Sequence, residues 1–80
     1  MKATIKNAEI RGFEKKINKQ GDPYLLVRLE DETGKAEELV DKNIEHENIY
    51  HRGLLADVTI NIDKGKYMTI RIENVEPVEG

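Results

Sequence analysis

Tyr24 and Arg28 stand four residues apart, and so do Tyr67 and Arg71, each pair in a stretch that alternates like a β-strand. Alternation puts the members of each pair on one face, roughly 13 Å apart along the strand. A tyrosine ring stacks on any nucleobase for about 1 to 3 kcal/mol, and a neighbouring cation holds the phosphate backbone between bases. The chemistry offered is therefore capture of a single nucleic-acid strand. Lys15, Lys16 and Lys19, read as a basic loop leading into Tyr24, add charge for phosphate. Taken singly, each residue has a plainer account: a tyrosine lids the barrel end or makes a cross-strand pair, an arginine makes a surface ion pair, a lysine keeps the chain soluble. Their joint placement favours a binding groove.

Catalysis finds little material. The chain has no cysteine and no serine. His46 and His51 are five residues apart, off the spacing that sets two ligands on one helix face. His46 with Glu45 and Glu47 is a weak metal set, and a solvated polar connector accounts for the same residues. Gly12, Gly21, Gly34, Gly53 and Gly65 occur singly, so no phosphate-cradling cluster exists. We expect no enzyme, no metal and no cofactor.

The elements that must position these residues follow from the periodicity. Residues 3–13 read as a long first strand, in which Ala3 and Ile5 take one parity and Ala8 and Ile10 the other. A slip near Asn7 is what a β-bulge produces. Phe13, the sole phenylalanine, is assigned to the core. Leu25, Val27 and Leu29 form the inner face of a second strand. Asp31-Glu32-Thr33-Gly34-Lys35 turns into a third strand near Glu37 to Val40. From Asp41 to Gly53 the alternation fails, which predicts a connector holding at most a short helix or 3₁₀ turn closed by Gly53. Leu54, Ala56, Val58, Ile60 and Ile62 then mark the clearest strand. Asp63-Lys64-Gly65-Lys66 turns the hairpin, and the last strand is expected to place Met68, Ile70 and Ile72 inward and Tyr67, Thr69, Arg71 and Glu73 outward. Three meander strands, a connector and a hairpin predict an all-β fold, a small five-stranded Greek-key barrel of the OB type with a short helical connector between strands 3 and 4. An SH3-like barrel is the competing pattern. Residues 1–80 are expected to form a single domain with a small core, since so short a chain buries only about 60% of its unfolded surface.

Charge is split along the chain. The net charge is −3, yet from Arg11 to Arg28 five cations oppose only Glu14 and Asp22. From Leu29 to Tyr50 eight carboxylates oppose only Lys35 and Lys42. The overall sign argues against binding by general attraction to phosphate, and the split allows a basic surface beside an acidic one. With no cysteine, no long apolar run and no apolar leader after Met1, the chain is expected to be soluble and cytoplasmic, away from any membrane.

The stretch Asn18-Lys19-Gln20-Gly21-Asp22-Pro23-Tyr24-Leu25-Leu26 resembles the helix-destabilising, single-stranded-DNA-binding proteins of filamentous phages, where a basic residue precedes Gln-Gly-Lys-Pro-Tyr. The closing stretch, Tyr50-His51-Arg52-Gly53-Leu54 through Asp63-Lys64-Gly65-Lys66-Tyr67 to Glu76-Pro77-Val78, is similar to that family's final hairpin. The resemblance implies an OB-like barrel, a homodimer formed through the last hairpin, and cooperative coating of single-stranded DNA during replication of a phage or mobile element. Residue by residue, it implies that Lys19 contacts phosphate, Tyr24 sits in the DNA-binding wing and Tyr67 stacks on a base, with Arg71 a looser match. The chain departs from the pattern at Asp22, where the family has lysine, and at Glu37 and Glu38, where it has another aromatic.

Two further functions fit the sequence. An acidic surface around Glu30, Glu32, Glu37, Glu38, Glu45 and Glu47 would meet a basic protein partner or mimic nucleic acid, and it accounts better for the net charge. RNA in place of DNA changes only the ligand.

Overall fold

The computed structural model describes residues 1–78. Five strands, β1 (Lys2–Ile17), β2 (Pro23–Glu30), β3 (Ala36–Asp41), β4 (Leu55–Lys64) and β5 (Met68–Pro77), close into a barrel in the order β1-β2-β3-β5-β4. A 3₁₀ turn at Ile44–Asn48 is the helical connector between β3 and β4. β1 pairs antiparallel with both β2 and β4, and a short parallel contact between β3 and β5 closes the ring. This is a small barrel of the OB type. No helix among the described residues is long and apolar enough to cross a membrane.

β1 serves two neighbours because it is bent twice. Between Ile5 and Ala8 it carries one residue more than β4 does, and Asn7 adopts a φ of 52°. Asparagine enters that left-handed region more readily than most side chains, and the Asp57 carboxylate accepts its N–H at 3.0 Å. The slip near Asn7 is therefore a true bulge. A second irregularity falls between Ile10 and Gly12. It resets the parity, so Phe13 faces inward and tilts against Tyr50 at 5.8 Å between ring centres.

The core follows the alternation. Leu25, Val27 and Leu29 of β2 are fully buried, as are Ala56 and Val58 of β4. β5 departs from its expected pattern at its beginning. Tyr67 belongs to the Gly65-Lys66-Tyr67 turn rather than to the strand, and Met68 is exposed, because the β4–β5 hairpin extends past the end of β1 and has no core beneath it. Ile72 and Val75 are the buried residues of β5 and Ile70 packs partly buried against the core, with the extra residue between Ile72 and Val75 accommodated opposite Thr59 and Ile60. Gly53, with φ 92°, ends the connector as expected.

Candidate nucleic-acid interface

The turn that enters β2 is built by one side chain. Asn18 Oδ1 accepts the N–H groups of Gln20 (3.0 Å) and Asp22 (2.9 Å), and Gly21 takes the φ of 87° that closes the loop. The Asp31–Lys35 turn repeats the device: Asp31 Oδ1 accepts from Thr33 N, Thr33 Oγ1 and Lys35 N, with Gly34 at φ 89°. These bonds, the Thr33 hydroxyl foremost and then the Lys35 amide, hold the Asp31 carboxyl below the ordinary carboxylate range. Such side-chain-to-backbone turns give the loop a fixed shape without burial.

Beside the first turn lies a groove of about 640 Å³. Tyr24 of β2 and Arg71 of β5 both line it, and Val40 of β3 lies between them, in register with Leu26 on one side and Arg71 on the other. Two strand spacings therefore separate the tyrosine and arginine strands, about 10 Å. Pro23, Val40 and Ile70 add apolar surface, and Lys42 adds a second cation. Neither Lys42 nor Arg71 has an ion-pair partner among the described residues. Asp22 is the one carboxylate on the lining among the described residues. The arrangement offers an aromatic face, an apolar floor and two unneutralised cations in one open cleft, which suits a base with phosphate on either side.

Lys42 is held in place from within. Asp41, the last residue of β3, is fully buried, and its Oδ2 accepts the Tyr50 hydroxyl at 2.6 Å and meets His46 Nδ1 at 2.6 Å. Its Oδ1 accepts the Asn43 N–H at 2.9 Å. Burial, then the hydrogen bond and charge of Asp41, push the Tyr50 pKa far up. Because Asp41 also pairs with Ile72, this network pins the connector at the point where the barrel closes.

The residues singled out from the sequence are distributed differently from the expectation. Tyr24 and Arg71, members of separate pairs in the sequence, share the groove. Arg28 shares the outward face of β2 with Tyr24 but lines a second depression with Arg11, Glu30 and Glu38. Its guanidinium lies over Gly12, where a Cβ would come within 3.0 Å of Nη2. Lys15 and Lys16 belong to β1 rather than to a loop, because the strand runs on to Ile17. Lys15 pairs with Glu47 of the connector at 3.8 Å. Lys16 stands opposite Tyr24 and pairs with Glu14 at 3.8 Å. Lys19 is exposed in the first turn. Tyr67 is 75% exposed at the hairpin tip, with Lys66 Nζ 5.9 Å from its ring centre, and is not part of the groove lining. His46 is engaged by Asp41 rather than grouped with Glu45 and Glu47. No family model, curated protein or solved structure matches the chain.

Sequence reasoning missed Lys42 and the buried Asp41. Continuing the alternation of β3 by two residues past Val40 places Asp41 inward with Leu39 and Lys42 outward with Val40. The partners of Asp41, at positions 46 and 50, come from a connector without periodicity and left no signal.

Proposed function

We propose that this protein binds single-stranded DNA without sequence preference, by base stacking and phosphate contacts, and coats it during replication of a phage or other mobile element. The observation that carries the reading is the convergence of Tyr24 and Arg71, with Lys42, on one open groove. In OB-type barrels the face of strands 2 and 3, between the β1–β2 and β4–β5 loops, is where oligonucleotides bind. The groove overlaps that face, drawing its lining from the β1–β2 turn, β2, β3 and β5, which supports the reading. Lys19 is exposed in the turn that enters the groove, Lys16 stands opposite Tyr24, and Tyr67 is an exposed ring on the β4–β5 loop. Charge is also divided along β3, with Lys42 just past the groove end and Glu38 toward the other, which reconciles a net charge of −3 with phosphate binding. The likeness of Asn18–Leu26 to the phage proteins supports DNA as the ligand. It also supports a second copy joined through the last hairpin, whose tip exposes both Tyr67 and Met68.

A fluorescence titration with oligo(dT), beside gel shifts on single-stranded DNA, RNA and duplex at two salt concentrations, tests the proposal. Binding to oligo(dT) with a log-log salt slope of about −0.7 per phosphate contacted is the expected result. No binding at low salt overturns it, and preference for RNA replaces the ligand.

A further inference from the structure

The barrel closes between β3 and β5 through two residue pairs, Val40 with Arg71 and Asp41 with Ile72. Beyond them, toward the Asp31–Lys35 turn, the strands part. β3 stays paired to β2 back to Ala36, while β5 leaves with the projecting hairpin, whose pairs Asp63–Thr69 and Lys64–Met68 lie past the last contact of β4 with β1. One edge of β3, from Ala36 to Leu39, thus has no neighbouring strand among the described residues. Along an antiparallel strand, backbone groups point alternately to either side. The Asp31 N–H donates to the Lys35 carbonyl at 2.9 Å, which sets the parity of the hairpin. Glu37 and Leu39 therefore turn their N–H and C=O groups to β2, and Ala36 and Glu38 turn theirs to the open edge.

An unpaired row of this kind is a template for an added strand. Ala36–Leu39 contains no proline, no lysine and no bulge, and of the devices that ordinarily block an added strand it carries its shortness and the negative charge of Glu37 and Glu38. Charge selects the occupant. Glu38 stands exposed on the outward face beside this edge, Glu30 stands opposite Ala36 and is paired with Arg11 at 3.7 Å, and Glu37 lies on the other face, paired with Lys35 at 3.6 Å. Arg28 sits directly opposite Glu38 yet leans the other way, over Gly12 of β1, and leaves Glu38 without an ion-pair partner among the described residues. Two copies of this edge side by side would oppose glutamate to glutamate, which disfavours self-pairing.

We propose that the open edge of β3, Ala36–Leu39, takes an extended segment of a partner protein as a sixth strand, a segment with lysine or arginine at alternate positions on the face of Glu38. Main-chain bonds to Ala36 and Glu38 supply the adhesion and the carboxylates the selectivity. The edge runs up to Val40, which lines the groove with Ile70 and Arg71, so peptide and oligonucleotide are neighbours along one opening.

Fluorescence anisotropy with a labelled peptide alternating lysine and threonine tests this on the full chain, with amide hydrogen exchange read at Ala36 and Glu38. The peptide is expected to bind and to slow exchange of those two amides. The same peptide with a central proline should bind about tenfold more weakly, as should the wild-type peptide on Glu37→Lys/Glu38→Lys, while oligo(dT) binding of that variant persists. A glutamate–threonine peptide should not bind. Equal binding of the proline peptide with no amide protected would reduce the contact to diffuse charge and overturn the proposal. So would absence of binding, or protection of the same amides by self-association.

Discussion

The Tyr50 hydroxyl donates to the fully buried Asp41 carboxylate across 2.6 Å, joining the end of the connector to the residue at which β3 meets β5. Fold and candidate groove meet at this bond, because Lys42 is the next residue along and lines the groove. Tyr50→Phe keeps the ring and its contact with Phe13 but leaves the carboxylate one donor short. A charge-assisted hydrogen bond of this kind contributes about 1.5 to 3 kcal/mol, and that loss should appear as a lower urea midpoint with unchanged slope.

The same pair sets an alkaline limit. An unfolded tyrosine ionises near 10.0, and in the folded chain burial and the Asp41 charge hold Tyr50 protonated well above that. Its contribution is complete below pH 10 and is lost as pH rises further, since the unfolded chain alone can release the proton. Urea midpoints measured above pH 10 should fall more steeply in the wild type than in Tyr50→Phe, and parallel curves would refute the link.

At the acid end the sign reverses. Asp31 is held below its unfolded value of 3.8, so the stability it adds is present above that pH and disappears as pH falls through the folded value. Asp31→Asn keeps an acceptor for the turn but cannot ionise. The difference in urea midpoint between wild type and variant should hold near neutrality and narrow below pH 3.8.

Tyr24→Ala and Arg71→Ala probe the groove by different readouts. Loss of a stacked base should weaken oligo(dT) binding by about 1 to 3 kcal/mol with the salt slope retained. Loss of the arginine should flatten the slope by about 0.7. Arg28→Ala, in the other depression, should leave both almost unchanged, and an effect as large as that of Arg71→Ala would put the DNA on the wrong part of β2.

Asp22 is the only carboxylate on the groove lining among the described residues, and the Asn18 turn uses its backbone N–H and C=O but not its side chain. Asp22→Lys should therefore preserve the loop, tighten oligo(dT) binding and steepen its salt dependence by about one phosphate contact. A tightening that persists at high salt would point away from phosphate.

Local pattern was enough to find most of the barrel. Side chains alternate across a strand whatever it pairs with, so Leu25, Val27, Ala56 and Val58 identified their own inner faces, the parity change at Asn7 announced its bulge, and Gly53 marked the end of the connector. Which faces lie side by side is a different matter, because pairing and register are agreements between distant segments. The sequence by itself determined that Tyr24 and Arg28 share a face and that Arg71 points outward. Only the tertiary structure brought Arg71 next to Val40, turned Arg28 away over Gly12, carried Met68 beyond the core and buried Asp41 under Tyr50. The candidate groove exists because β5 crosses to β3, a parallel contact of two residue pairs between segments thirty-one positions apart, and no periodicity within either strand records it.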